Sequence, residues 1–334
     1  MSSPLLEVRG LAKHYVRRRG FVGANKTVRA VDGVSFSIEE GETLGLVGES
    51  GCGKSTLART ILFLEEPTAG EVYFAGERLE AGRVRELRRR AQIVFQDPYS
   101  SLPPRMKVGS IVGDPLEIHD LERGAAVRRR VGHLLSDVGL KPDDADKYPH
   151  EMSGGQRQRV GIARALAVQP SLIVADEAVS SLDVSVQAQI LNLLKDLQSR
   201  HRLAYLFVSH DLGVVKYMSH RIAVMYLGEI VEFASAKELY ERPLHPYTRA
   251  LMSAAPSVHG VKRERIRLAG EPPDPGDPPP GCKFHPRCPI AQAVCSVTIP
   301  GLDEWLPGRT AACHFALAGE EAWAVATDEA EGGG

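Results

Sequence analysis

The sequence predicts an α/β fold built on a parallel core sheet, with an antiparallel β flank and a small cysteine-rich C-terminal module. Three observations carry that expectation. Short apolar runs at residues 43–47, 92–95, 172–175 and 203–208 have the length and composition of strands buried on both faces. Helical segments at 54–63, 124–138, 156–167 and 184–199 alternate with them, the order of a doubly wound sheet. Four of the five cysteines (Cys282, Cys288, Cys295 and Cys313) fall in the last 53 of 334 residues.

The remaining segments follow from local chemistry. Residues 6–8 and 34–38 alternate polar and apolar, as the antiparallel flank requires. Residues 271–281 hold six prolines, which cannot continue a helix or a central strand and so form an extended spacer. The chain therefore divides into a large unit over 1–255, with a helical subdomain at about 97–165, and an extension over 256–334. Its acidic, glycine-ended tail from residue 318 is expected to be disordered.

Composition excludes several classes. With 41 Lys plus Arg against 42 Asp plus Glu, 43% apolar and 25% charged residues, the chain is neither disordered nor a polyanion binder by bulk charge. The arginine triplets at 17–19, 88–90 and 128–130 lack interleaved aromatics and read as solvated faces rather than a nucleic-acid site. No run of 18 apolar residues occurs, and residues 1–7 lack the basic and apolar regions of a signal peptide. A position on the cytoplasmic side is expected, with any membrane attachment made through a partner. In a reducing compartment the cysteine cluster points to metal or redox use, not disulfides.

Residues 48–56 read Gly48-Glu49-Ser50-Gly51-Cys52-Gly53-Lys54-Ser55-Thr56, between an apolar strand and a helix. This is G-x-x-x-x-G-K-[ST] in the context that makes it a phosphate loop. Glycines let the backbone wrap an anion, so that successive N–H groups and the helix N-terminus face it. Lys54 would reach the β- and γ-phosphates of ATP, and the Ser55 hydroxyl would ligate Mg²⁺. Cys52 is expected to be a small residue in a tight turn. Downstream, an apolar strand ends in Asp176-Glu177, where Asp176 can approach the Mg²⁺ through a water and Glu177 can polarise an attacking water.

Four further elements occur in fixed order: Gln96 after the strand at 92–95, Ser153-Gly154-Gly155-Gln156 opening a helix, Asp183 after the carboxylate strand, and His210 after the strand at 203–208. The whole set resembles the nucleotide-binding subunit of an ATP-binding-cassette transporter over about residues 5–240. The resemblance implies a P-loop ATP hydrolase and gives each position a role. Tyr15 would stack on adenine. Gln96 would sense Mg²⁺ and the γ-phosphate and face the membrane partner. His210 would contact the γ-phosphate. Ser153, Gly154 and Gly155 would bind the γ-phosphate of the opposite subunit's nucleotide, beside a cross-dimer contact at Asp183. Each catalytic site then needs two chains joined head to tail. Met152 stands where the signature usually has Leu, a volume-conserving swap.

Three stretches narrow the subfamily. Residues 95–106, with Pro103 where Asn is usual, 176–189 and 244–251 resemble the second ATPase of oligopeptide and dipeptide importers. That resemblance implies a sister ATPase, two transmembrane permease subunits and an extracytoplasmic peptide-binding protein, at the cytoplasmic face of the membrane and with no nucleic acid. A soluble cassette acting on nucleic acid or ribosomes is the alternative; the paired cassettes or long insertions of such proteins are not seen.

The C-terminal cysteines run Cys282-x5-Cys288-x6-Cys295-x17-Cys313, with no C-x-x-C pair, so an ordinary zinc ribbon fits poorly. Four thiolates hold either Zn²⁺ or a [4Fe–4S] cluster. The pattern is similar to the C-terminal cysteines of peptide-importer ATPases, which implies the iron–sulfur cluster, with Zn²⁺ or structural free thiols as the alternatives. His285 and His314 are close enough in sequence to substitute as ligands, but surface turns are the expected setting for both.

Overall fold

The computed structural model describes residues 3–17, 26–254 and 266–317. Arg18, Arg19 and the tail expected to be disordered lie outside the described residues, as does the stretch around the division at 255/256. Twelve strands are present among them: β1 (Leu6–Arg17), β2 (Lys26–Ile38), β3 (Thr43–Val47), β4 (Ala69–Phe74), β5 (Glu77–Arg78), β6 (Ala91–Val94), β7 (Leu172–Asp176), β8 (Ala204–Val208), β9 (Arg221–Tyr226), β10 (Glu229–Ser235), β11 (Asp303–Leu306) and β12 (Arg309–Ala311). The α-helices are α1 (Lys54–Ile61), α2 (Val84–Arg90), α3 (Pro98–Ser101), α4 (Val108–Ile118), α5 (Ala125–Asp137), α6 (Gly154–Leu166), α7 (Val184–His201), α8 (Leu212–Met218), α9 (Ala236–Glu241) and α10 (Pro246–Ala254).

The main sheet runs β11-β12-β10-β9-β3-β8-β7-β6 and a flanking sheet runs β2-β1-β4-β5. Neighbours from β6 to β9 are parallel, and every pairing in the flank is antiparallel. The central strands β3, β7 and β8 are buried at every residue because both faces are covered. Along β8 the side chains alternate between two cores. Tyr205 and Phe207 face the cluster that contains α4, α5 and α6, while Ala204, Leu206 and Val208 face the cluster shared with the flank. A continuous apolar run, not an alternating one, is the signature of that double burial.

The expectation of a parallel core sheet needs one correction. At β10 the sheet turns antiparallel, and the chain beyond the proline-rich spacer completes it. β12 pairs with β10 through Glu232↔Ala311 and Phe233↔Thr310, and β11 adds the edge. Phe284 enters the main core, fully buried and edge-on to Tyr226 at 5.3 Å between ring centroids. The extension is thus continuous with the sheet. Its small size explains why: a segment with so little apolar area of its own gains stability by burial against a larger neighbour.

Candidate functional site

The loop between β3 and α1 is built from backbone. Gly48, Gly51 and Gly53 have φ values of +157°, +80° and +111°. At Gly53 a Cβ would collide with the Ala30 carbonyl oxygen, so only glycine lets the loop lie against β2. Gly53 also caps α1 without any side-chain hydrogen bond. The first N–H groups of α1 therefore point out unsatisfied, together with the positive end of its dipole. α6 is built differently: Ser153 accepts from Gln156 N–H, and the Gln156 side chain accepts from Ser153 N–H at 2.9 Å.

Lys54 is buried and its ammonium donates to the carbonyls of Gly48 (2.7 Å) and Glu49 (3.0 Å), curling the loop around it. Ser55 Oγ donates to Asp176 Oδ1 at 2.9 Å, joining the loop to the end of β7. Burial holds the Asp176 carboxyl above its ordinary value, partly offset by that hydrogen bond. A cation there would reverse the shift, which is what a Mg²⁺ site needs. Cys52 is buried, with its thiol pushed up by burial, so it has the surroundings of a packed residue and not of a nucleophile.

Glu177 follows Asp176 in the left-handed region, at φ +49°. For a non-glycine residue this costs free energy of about 1 kcal/mol or more. It is imposed by neighbours: Glu177 N–H donates to Val208 O at 2.9 Å and Ser180 N–H donates to Glu177 O at 3.1 Å. The strained backbone turns the carboxylate toward His210, whose Nδ1 lies 3.3 Å from Glu177 Oε1.

The other predicted residues surround this centre at different removes. The half-exposed Tyr15 bonds Glu65 through its hydroxyl and lies close enough to the Thr56 hydroxyl to interact with it. The Gln96 carbonyl accepts from Ser181 Oγ at 3.2 Å, so the segment before Asp183 touches the segment after β6. Ser153 and Asp183 are exposed, each at the start of its helix. Gly155 is packed so closely on α7 that a Cβ would strike Val186 at 2.5 Å. One chain thus brings Lys54, Ser55, Asp176, Glu177 and His210 together and leaves Ser153 to Gln156 and Asp183 on an outer face.

Sequence reasoning missed how the loop is held from behind. Glu49 N–H donates to Tyr247 Oη at 2.8 Å, and its carboxylate takes two hydrogen bonds from Arg287, at 2.8 and 3.1 Å. No spacing signal joins residues 238 positions apart.

The four C-terminal cysteines share a neighbourhood. Cys282 N–H donates to Cys295 O at 2.8 Å. Burial pushes Cys288 up to about 12 and Cys313 up to about 11, and raises Cys282; neighbouring thiols add to each shift. Among the described residues no group of three or more His, Cys, Asp or Glu side chains could hold a metal ion. The expected four-thiolate site is therefore not formed in this arrangement. His285 and His314 are engaged elsewhere, on the carbonyls of Cys282 (2.9 Å) and Thr298 (3.0 Å).

A glycine loop, an uncapped helix and a strained carboxylate at the end of β7 are the parts of a cassette ATPase, and comparison agrees. A family model described as "ABC transporter" matches residues 31–180. Among solved structures, a dimeric ATP-binding cassette in a post-hydrolysis state with ADP and Pi is 32% identical. It has a TM-score of 0.60 and covers 69% of this chain and 98% of its own. The cbiO1 subunit of a Clostridium perfringens transporter complex is 26% identical, with a TM-score of 0.61, covering 71% and 91%. The chain is an ABC ATPase.

The extension narrows this further. A family model described as "Oligopeptide/dipeptide transporter, C-terminal region" matches residues 231–295. The chain is 50% identical to the oligopeptide transport ATP-binding protein AppF of Bacillus subtilis, covering 93% of this chain and 97% of that one. It is 53% identical to a probable peptide ABC transporter ATP-binding protein of Sinorhizobium fredii, covering 94% and 90%. It belongs to the family of ATP-binding subunits of oligopeptide and dipeptide ABC importers. No helix among the described residues is long and apolar enough to cross a membrane.

Proposed function

We propose that this chain binds and hydrolyses ATP to drive import of dipeptides or oligopeptides through permease partners, supplied by a substrate-binding protein. The observation that carries the chemistry is the Ser55–Asp176 contact at 2.9 Å beside Glu177. It supports a metal-ligating role for this hydroxyl and carboxylate, beside the Glu177 carboxylate that His210 approaches at 3.3 Å.

The roles follow from placement. Lys54 leaves the Gly48 and Glu49 carbonyls for the β- and γ-phosphates, while the loop N–H groups and the start of α1 take the rest of the anion. Ser55, Asp176 and Gln96 would hold Mg²⁺, which offsets phosphate charge when bound. Glu177 takes a proton from the attacking water, and His210 keeps that carboxylate aimed and meets the γ-phosphate. Tyr15 supports the adenine. Ser153 and Asp183, exposed on the outer face, together with Gly154 and Gly155 would complete the site of a second cassette, a sister ATPase arranged head to tail. Binding of ATP then favours the closed pair, and hydrolysis releases it.

Glu177→Gln tests the base. Turnover should fall by about 10²-fold or more while ATP binding is kept and a stable nucleotide-bound pair accumulates. Unchanged hydrolysis would remove Glu177 from that role. Co-purification from membranes should recover a second cassette chain and two permeases, and recovery of homodimers alone would argue against the sister subunit.

The cysteines extend the reading. Four thiols from Cys282, Cys288, Cys295 and Cys313, within electrostatic reach of one another, suit a [4Fe–4S] cluster better than a zinc ribbon. Such a group would staple a segment with little core of its own. Anaerobically purified protein should be brown, with broad absorbance near roughly 400 nm. Colourless protein with one zinc would reassign the metal, and four thiols freely titratable in the purified protein would reject both.

A further inference from the structure

The P-loop is gripped from the C-terminal extension. Arg287, nearly buried in the turn His285–Arg287, sends both terminal nitrogens to the Glu49 carboxylate, in the planar fork that guanidinium and carboxylate share. Glu49 is the second residue of the loop, and its own N–H is held by Tyr247. Its carbonyl receives Lys54, the residue that must reach phosphate. The turn carrying Arg287 is itself fixed. Phe284 packs against Tyr226, Tyr247 and His245 at centroid distances of 5.3–5.5 Å, and Lys283 bonds Asp32, Leu227 O and Glu229. A second link runs in parallel: Gly228 N–H donates to Cys52 O at 2.9 Å, and Asp32 N–H donates to Gly228 O.

We propose that Arg287 is a positioning residue for nucleotide binding: by fixing Glu49 it holds the loop's first turn in its phosphate-accepting shape, so ATP affinity depends on the extension being seated. The physical basis is preorganisation. A loop whose N–H groups already converge does not spend binding energy on ordering itself. Releasing the Glu49 carboxylate frees the Gly48–Glu49 peptide and the carbonyl partners of Lys54. The inference rests on residues 48–56 being the phosphate site.

The full-length protein is titrated with ATP in the presence of Mg²⁺, its thermal midpoint is recorded, and KM and kcat are measured in the complex with its second cassette and permeases. Arg287→Met and Glu49→Gln should each weaken ATP binding by about tenfold, the worth of a charge-assisted bidentate contact. The loss should appear in KM with kcat nearly kept. Arg287→Lys retains charge without the fork and should recover part of the affinity. The double variant should be no weaker than either single one, because both break one contact. Lys54→Ala is the control for the underlying reading: undiminished ATP binding there would discard the phosphate site itself. With that control lost as expected, unchanged KM in Arg287→Met would overturn the positioning role. So would a lowered thermal midpoint and active fraction with unaltered affinity in the remaining protein.

Discussion

The two halves of the main sheet solve different problems. The parallel half, β6 to β9, ends its strands in the chemistry: the glycine loop after β3, Asp176 at the end of β7 with Glu177 after it, and His210 after β8. The antiparallel half, β10 to β12, supplies no proposed ligand of the nucleotide. It and the segment packed on it hold buried polar groups that are satisfied within the protein. Glu232 is completely buried yet accepts from the N–H groups of Leu244 (2.7 Å) and His245 (2.8 Å). His245 is buried with Nδ1 accepting from Tyr247 N–H at 3.0 Å, which leaves its proton on the other nitrogen. One half keeps polar groups partly free for a ligand, and the other consumes them in holding the first half still.

Three measurements bear on this division. The largest effect is expected at Phe284→Ala, which empties a fully buried aromatic site and should cost about 3–5 kcal/mol of stability. If denaturant midpoints fell while ATP affinity stayed as in the native chain, the antiparallel half would be scaffold alone. A parallel fall in affinity would tie the halves together.

His245 gives a smaller, pH-dependent term. Its folded pKa is depressed from 6.5 to about 3 by burial. The unfolded chain therefore takes up this proton first, and stability falls as pH drops below about 6.5 toward 3. At pH 5 the loss from this group is about 2 kcal/mol. Urea midpoints between pH 7 and 5 should fall less steeply in His245→Gln than in the native chain; identical slopes would mean that His245 titrates normally. At the low end, Arg200→Ala breaks exposed pairs with Asp196 and Asp137 on the helical side. It should move stability by under about 1 kcal/mol, and a larger change would mark an unsuspected contact.

How much of this was legible in the sequence differs in the same way between the halves. Strands β3, β7 and β8 were readable because both faces are buried, which writes an unbroken apolar run. β10 was not. Its buried Glu232 and the adjacent Phe233 and Ala234 show no clean period, since Glu232 is satisfied by backbone groups from residues 244 and 245 rather than by water. β11 and β12 are three or four residues long and depend on β10 for pairing, so no local propensity announces them. At the site, residue type and spacing marked Lys54, Ser55, Asp176 and Glu177. The left-handed backbone of Glu177 carried no such mark, because a glutamate is a poor residue for that conformation. Arg287 was hidden for a simpler reason: ion pairs between distant segments leave no periodic trace.

The seat of β12 on β10 has a consequence for any shortened form of this chain. Ending the protein before residue 280 removes the strand that pairs with Glu232 and Phe233 and leaves their backbone donors and acceptors facing solvent. An exposed edge of this kind, beside apolar positions such as Val231 and Ala234, is a template for adding further strands. Truncated cassettes should therefore gather into insoluble aggregates even where the glycine loop and its helix are intact, and a charged substitution at Phe233 should relieve that self-association.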